Sequence, residues 1–169
     1  MTFQYVHADT QYLYAYSITD GNENEDFLKD QLQKALNNHN KQIRVKISFT
    51  AIGETVNTIN KKAKQENKNE GWKRRIIHSL ADLSFHKRVD LAPPTDSVFN
   101  TAKKIRSADI RLDNTDILIV SHALCDKESY LALFQDENVL SSKILQEYCN
   151  KRKEDTDFCH NLKIRETFS

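Results

Sequence analysis

Short runs of strand character alternate along the chain with longer stretches of helical spacing, and this order limits the fold more than any other feature. Ile43, Val45, Ile47 and Phe49 alternate with Arg44, Lys46 and Ser48, the period of two of a strand. Similar short runs are Phe3 to Ala8, Val89 to Leu91 before Pro93-Pro94, Ser129 to Phe134, and Asn161 to Glu166. Between them the spacing predicts helices: one around Tyr12 to Tyr16, one over Asp26 to Asn38 with Phe27, Leu28, Leu32, Ala35 and Leu36 inward, and one capped by Thr50 with Ile52, Val56 and Ile59 on a face. Lys61 to Asn69 is the exposed end of that helix or a loop. Further helices follow over Trp72 to His86, after Thr95 or Asp96, and over Ser141 to Lys153. Strands alternating with helices imply an α/β fold, a parallel sheet covered on both faces. Only 3 Gly and 2 Pro argue against a turn-rich all-β chain.

The stretch Leu112 to Leu124 predicts the most buried helix. Asp113, Asn114 and Thr115 are all cap-type residues ahead of an apolar run. Ile117, Val120 and Leu124 share a face, with Ile119 and Ala123 close by, so little of this helix faces solvent. Asp116 falls in its first turn, where the helix dipole favours a carboxylate. Capping alone would explain it. Asp113 competes for the same role. His122, six residues on, is read as a packing or hydrogen-bonding group, and Ser121 as a satisfied helix hydroxyl.

A length of 169 residues suggests one domain over 1–169, with a helical insertion or extension around 61–88. The formal net charge of +1 neither demands nor excludes a nucleic-acid partner, because patches matter more than totals. Cys125, Cys149 and Cys159 form no Cys-x-x-Cys pair, so they read as reduced thiols of a cytoplasmic protein rather than a disulfide framework or a zinc site. No run approaches a membrane span, and the N-terminus lacks the order of a signal peptide.

The acids then fall into place. Asp9 follows the first strand, Glu54 follows the second, Asp136 follows Leu131 and Leu133, and Asp116 opens the buried helix. In parallel sheets, ligands bind beyond the carboxyl ends of the strands. Four acids gathered there repel one another unless a cation sits between them, and hard divalent ions with oxygen ligands answer that need. Each acid also has a plainer reading as a helix cap or a solvated side chain.

Asp9-Thr10, Thr50-Ala-Ile-Gly-Glu54, Asp116-Ile-Leu-Ile-Val-Ser-His-Ala-Leu124 and Leu133-Phe-Gln-Asp136 resemble the successive acidic motifs of the PIN-domain ribonucleases. The resemblance spans nearly the whole chain, and its strongest piece is the Asp116 stretch. It implies a three-layer α/β/α sandwich around a five-stranded, mostly parallel sheet. It also implies a metal-dependent endonuclease acting on single-stranded RNA, with Mg²⁺ or Mn²⁺ held by Asp9, Glu54, Asp116 and Asp136. Thr10 matches the small polar residue that follows the first acid. An antitoxin protein and a second copy of the chain are the partners the resemblance implies. Two positions depart from the family pattern: Gln11 stands where Asn is common, and Phe134 where Ser or Thr is usual.

Two other functions stay open on the residues. A PIN-like fold without activity would serve as an RNA-binding or protein-interaction module. Another metal-dependent phosphohydrolase would turn over a phosphate monoester instead. The basic groups Lys61-Lys62-Lys64, Lys73-Arg74-Arg75 and Lys103-Lys104-Arg106 suit an RNA backbone or a plain solvated face. Tyr12, Tyr14 and Tyr16 offer a stacking surface or, on burial tendency, core.

Overall fold

A computed structural model describes residues 3–168. The elements run β1 (Gln4–Ala8), α1 (Thr10–Ser17), α2 (Glu23–Leu36), β2 (Ile43–Ser48), α3 (Phe49–Gln65), α4 (Glu70–Ser84) and β3 (Val89–Ala92). They continue with α5 (Asp96–Ala108), α6 (Asn114–Cys125), β4 (Ser129–Leu133), α7 (Glu137–Ser141), α8 (Lys143–Glu154) and β5 (Lys163–Arg165). The five strands form one sheet in the order β3-β2-β1-β4-β5, and every pairing is parallel.

That order fixes the layers. Going from β1 to β3 the chain steps in one direction across the sheet, and from β3 to β5 it steps in the other. Crossovers between parallel strands are right-handed, so α1 to α4 lie on one face and α5 to α8 on the opposite face. The contacts agree: α1 packs on α2, α3 and α4, whereas α5 packs on α6 and α8. The order of strands reverses between β1 and β4, and the crevice past their carboxyl ends is where such sheets bind ligands.

Several boundaries differ from the sequence pattern for local reasons. Thr50 is not the cap of α3; Ser48 is, its side chain accepting from the Ala51 N–H at 3.0 Å. Phe49 therefore leaves the strand, opens the helix and stands 49% exposed. Helix α2 starts before Asp26, because Asn22 and Glu25 form a reciprocal capping box. Phe27 is correspondingly turned outward. The helix expected over Ser141 to Lys153 is α8, which begins at Lys143 because the Ser142 hydroxyl caps it by accepting from the Leu145 N–H; Ser141 ends the separate short α7. The helix expected over Trp72 to His86 ends at Ser84, with Phe85 as its C-cap and 87% exposed.

Tyr12 and Tyr14 are core, as burial tendency favours, and so are Leu13 and Ala15. The turn between α3 and α4 passes through Asn67, whose φ of 50° is the one left-handed non-glycine among the described residues. Lys68 N–H then reaches back to the Ala63 carbonyl at 2.9 Å, the return bond of a Schellman ending. Asn67→Gly is expected to stabilise the protein by about 0.5 kcal/mol in urea titration, since glycine adopts this conformation without steric cost. A destabilised variant would show that the Asn67 amide makes a contact of its own.

Candidate active site

Each acid is delivered by a separate element to the carboxyl edge of the sheet. Asp9 follows β1 directly and caps α1, its Oδ1 accepting from the Thr10 N–H at 2.6 Å. Glu54 sits in the second turn of α3, where the Thr10 hydroxyl donates to its Oε2 at 3.0 Å. Asp113 is the N-cap of α6 and accepts from the Thr115 N–H at 2.8 Å. That leaves Asp116, one turn on, free of the capping role. Asp136 follows β4 and caps the short α7, accepting from the N–H groups of Asn138 and Val139 at 2.8 and 3.1 Å. The plain reading of Asp9 and Asp136 as caps is thus true of their geometry, and it leaves their charge in place.

All four open onto one cleft of about 530 Å³, together with Asp113 and Glu137. Gln11, Gln135 and Asn138 supply its amides, and among the described residues no Lys, Arg or His lines it. Six acids without a cationic side chain leave their repulsion uncompensated. Burial, then the Asp116 charge, pushes Asp9 up from 3.8 to about 7. Burial, then Asp136 and Asp113, pushes Asp116 up to about 7 as well. The carboxyls share the cleft without converging: among the described residues, no three His, Cys, Asp or Glu side chains stand together as a ready-made metal group.

Phe134 is fully buried. It fills core where a hydroxyl at that position would need a partner. His122 is 5% exposed, and burial holds its imidazole down at about 4, so it is neutral across the physiological range. Ser121 departs from expectation: among the described residues its buried hydroxyl has no hydrogen-bond partner, and neither has His122 Nε2.

The sequence reading also missed a polar network inside the sheet. His7 Nε2 and Lys46 Nζ both contact Asp126 Oδ2, at 2.9 and 2.8 Å, and hold that carboxyl well below its usual range against its burial. Beside it Arg44 forks onto Asp90, which also accepts from the Tyr5 hydroxyl. The alternation of Arg44 and Lys46 in β2 was the available signal; their partners come from distant segments.

No family model matches the chain, and no curated protein matches it in sequence. Among solved structures, it is similar to a chain of VapBC2 from Rickettsia felis, whose crystal structure includes a DNA fragment from their promoter. The TM-score is 0.53 at 15% identity, over 95% of this chain and 98% of that one. The fold is PIN-like. At this identity the likeness extends to the fold alone. Among the described residues, no helix is long and apolar enough to cross a membrane.

Proposed function

We propose that this chain is a metal-dependent endoribonuclease that hydrolyses phosphodiester bonds of single-stranded RNA at the acidic cleft. The observation that carries this reading is the set of six uncompensated carboxylates at the reversal of strand order. Oxygen donors without nitrogen or sulfur match Mg²⁺ or Mn²⁺. Asp9, Glu54, Asp116 and Asp136 would hold the ion. When bound, it would supply a more acidic water and neutralise charge on the scissile phosphate.

The chain's own groups do the rest. The Thr10 hydroxyl fixes Glu54 and ties the end of β1 to α3. The Asp9 and Asp136 carboxyls are oriented by the backbone donors they cap. Gln11, Gln135 and Asn138 present amides suited to phosphate and sugar oxygens. With elevated affinity for protons, Asp9 and Asp116 bind the cation in competition with H⁺, so loading strengthens as pH rises through about 7.

An inactive PIN-like module is favoured by one observation, that the carboxyls do not converge as they stand. The discriminating experiment is cleavage of labelled single-stranded RNA with Mg²⁺, with Mn²⁺ and with chelator, alongside Asp116→Asn. Cleavage that needs the ion and falls at least about a hundredfold in the variant supports the nuclease, since such an ion contributes several kcal/mol of charge stabilisation. Intact RNA in every arm supports the inactive module, and turnover of a phosphate monoester alone supports a different phosphohydrolase. By the same family likeness, we assign it an antitoxin partner, a homodimeric state and a cytoplasmic setting. Co-purification and sedimentation would decide the first two.

A further inference from the structure

A second cleft lies further along α3 from the acidic one. It has a volume of about 760 Å³ and lies between the outer end of α3 and the start of α4. Asn57 lies one turn past Glu54 on α3, and Asn57 and Lys64, seven residues apart, share a helix face that lines this groove. At 1.5 Å per residue, Lys64 lies about 15 Å along the axis from Glu54. Lys64, Lys68 and Lys73 line the groove against one acid, Glu70. The charge thus changes sign over about three turns of helix.

We infer that this groove between α3 and α4 holds the phosphate backbone of the single-stranded RNA whose scissile bond lies in the acidic cleft. The inference rests on the nuclease reading for what occupies the neighbouring cleft, and on its own lining for the rest. A polyanion is repelled by six carboxylates, so its flanking phosphates need a cationic seat close by. Two of the lysines have partners: Lys68 lies 3.4 Å from Glu66 and 4.0 Å from Asp20, and Lys73 pairs with Glu70. Those three carboxylates are 50%, 60% and 73% exposed, so the pairs are weak and phosphate exchanges for them readily. Lys64 makes no salt bridge among the described residues. Asn57, Asn60 and Asn67 add exposed amides, each both donor and acceptor, which suit sugar hydroxyls and unpaired base edges better than they suit an acidic peptide. The basic group on α5 is a poorer candidate: Arg106 is spent on the Ile110 and Leu112 carbonyls, and α5 does not line the acidic cleft.

The test is fluorescence anisotropy of a labelled single-stranded RNA, titrated in chelator over a range of salt so that cleavage plays no part. Lys64→Gln/Lys68→Gln/Lys73→Gln is compared with wild type and with Lys103→Gln/Lys104→Gln. Each lost contact to a single strand removes about 0.7 from the log–log salt slope, so the groove variant should lose about 2 and the α5 variant nothing. If the triple variant misfolds by circular dichroism, Lys64→Gln alone should lose about 0.7. An unchanged slope, an equal loss in the α5 variant, or no binding by wild type overturns the groove. So does displacement of RNA by polyglutamate at equal charge concentration, which would assign the groove to an acidic protein segment. Cleavage by wild type with a groove-independent slope overturns the groove alone. Groove-dependent binding without metal-dependent cleavage overturns the nuclease and leaves the groove standing.

Discussion

Asp9→Asn is expected to abolish RNA cleavage and, in the same protein, to raise stability by about 2 kcal/mol at pH 8. Asp9 is 3% exposed and lies against Asp116 and Glu54. Its folded-state affinity for protons, about 7 against an ordinary 3.8, is raised first by burial and then by those charges. The sign follows from linkage. Between about pH 4 and pH 7 the folded wild type binds more protons than the unfolded chain, so its stability falls as pH rises through that window. Asparagine carries no charge to bury, and its side-chain oxygen caps α1 as well as aspartate does. Full conversion of the shift gives about 4 kcal/mol. Asp116 carries part of the same repulsion, and the helix N-terminus loses a favourable anion, so about half of that is expected. Urea titration at pH 8 and pH 4 decides it: the gain should be present at the first and absent at the second. An Asn variant less stable than wild type at pH 8 would mean that the Asp9 charge is already compensated within the fold. Retained cleavage would remove Asp9 from the proposed site.

The parallel α/β order was legible because each strand is short, apolar and bounded, and because Ile43 to Ile47 alternates without interruption. The position of Asp9, Glu54 and Asp136 past strand ends was legible for the same reason. Boundaries failed where a side chain overrode the apolar pattern. Ser48 ends β2 and begins α3 with one hydroxyl, and the Asn22–Glu25 box starts α2 ahead of its first buried residue. Composition cannot rank Ser48 against Thr50, since both are good caps. The network of His7, Lys46 and Asp126 was illegible for a different reason. Its members are 39 and 80 residues apart in sequence, counting 7 to 46 and 46 to 126; the register of β1 on β2 sets His7 beside Lys46, and the C-cap of α6 supplies Asp126. Glu137 entered the cleft because α7 begins immediately after its cap Asp136, and a five-residue helix has too little periodicity to be seen.

Arg152→Ala is expected to cost about 3–5 kcal/mol in urea titration. Arg152 is 5% exposed and, among the described residues, pairs with no carboxylate. Its Nη1 donates to the Ala123 and Leu124 carbonyls at 2.6 and 3.3 Å, in the last turn of α6. Its Nη2 donates to the Asp126 and Ser129 carbonyls at 3.1 and 2.9 Å, and reaches the His160 carbonyl at 3.5 Å. One guanidinium therefore ties the end of α6, the start of β4 and the segment before β5. A helix C-terminus presents carbonyls without partners and a negative field, and a planar cation answers both. Burying that cation has its own cost, as the lowering of its proton affinity by burial shows. An apolar replacement would recover that cost but take the guanidinium donors from the Ala123 and Leu124 carbonyls at the end of α6, at about 1–3 kcal/mol each. The Asp126 carbonyl, by contrast, keeps the Ser129 N–H at 3.1 Å. The balance therefore favours arginine, unlike a buried ion pair whose two charges can be removed together. Lysine should restore less than half of the loss, because its ammonium cannot serve carbonyls in so many directions from one plane. Hydrogen exchange should locate the damage at Cys125 to Ser129. Since α6 and β4 carry Asp116 and Asp136 at their other ends, a loosened junction should weaken cation binding in the cleft as well. A loss below about 1 kcal/mol would show that water replaces the guanidinium at these carbonyls.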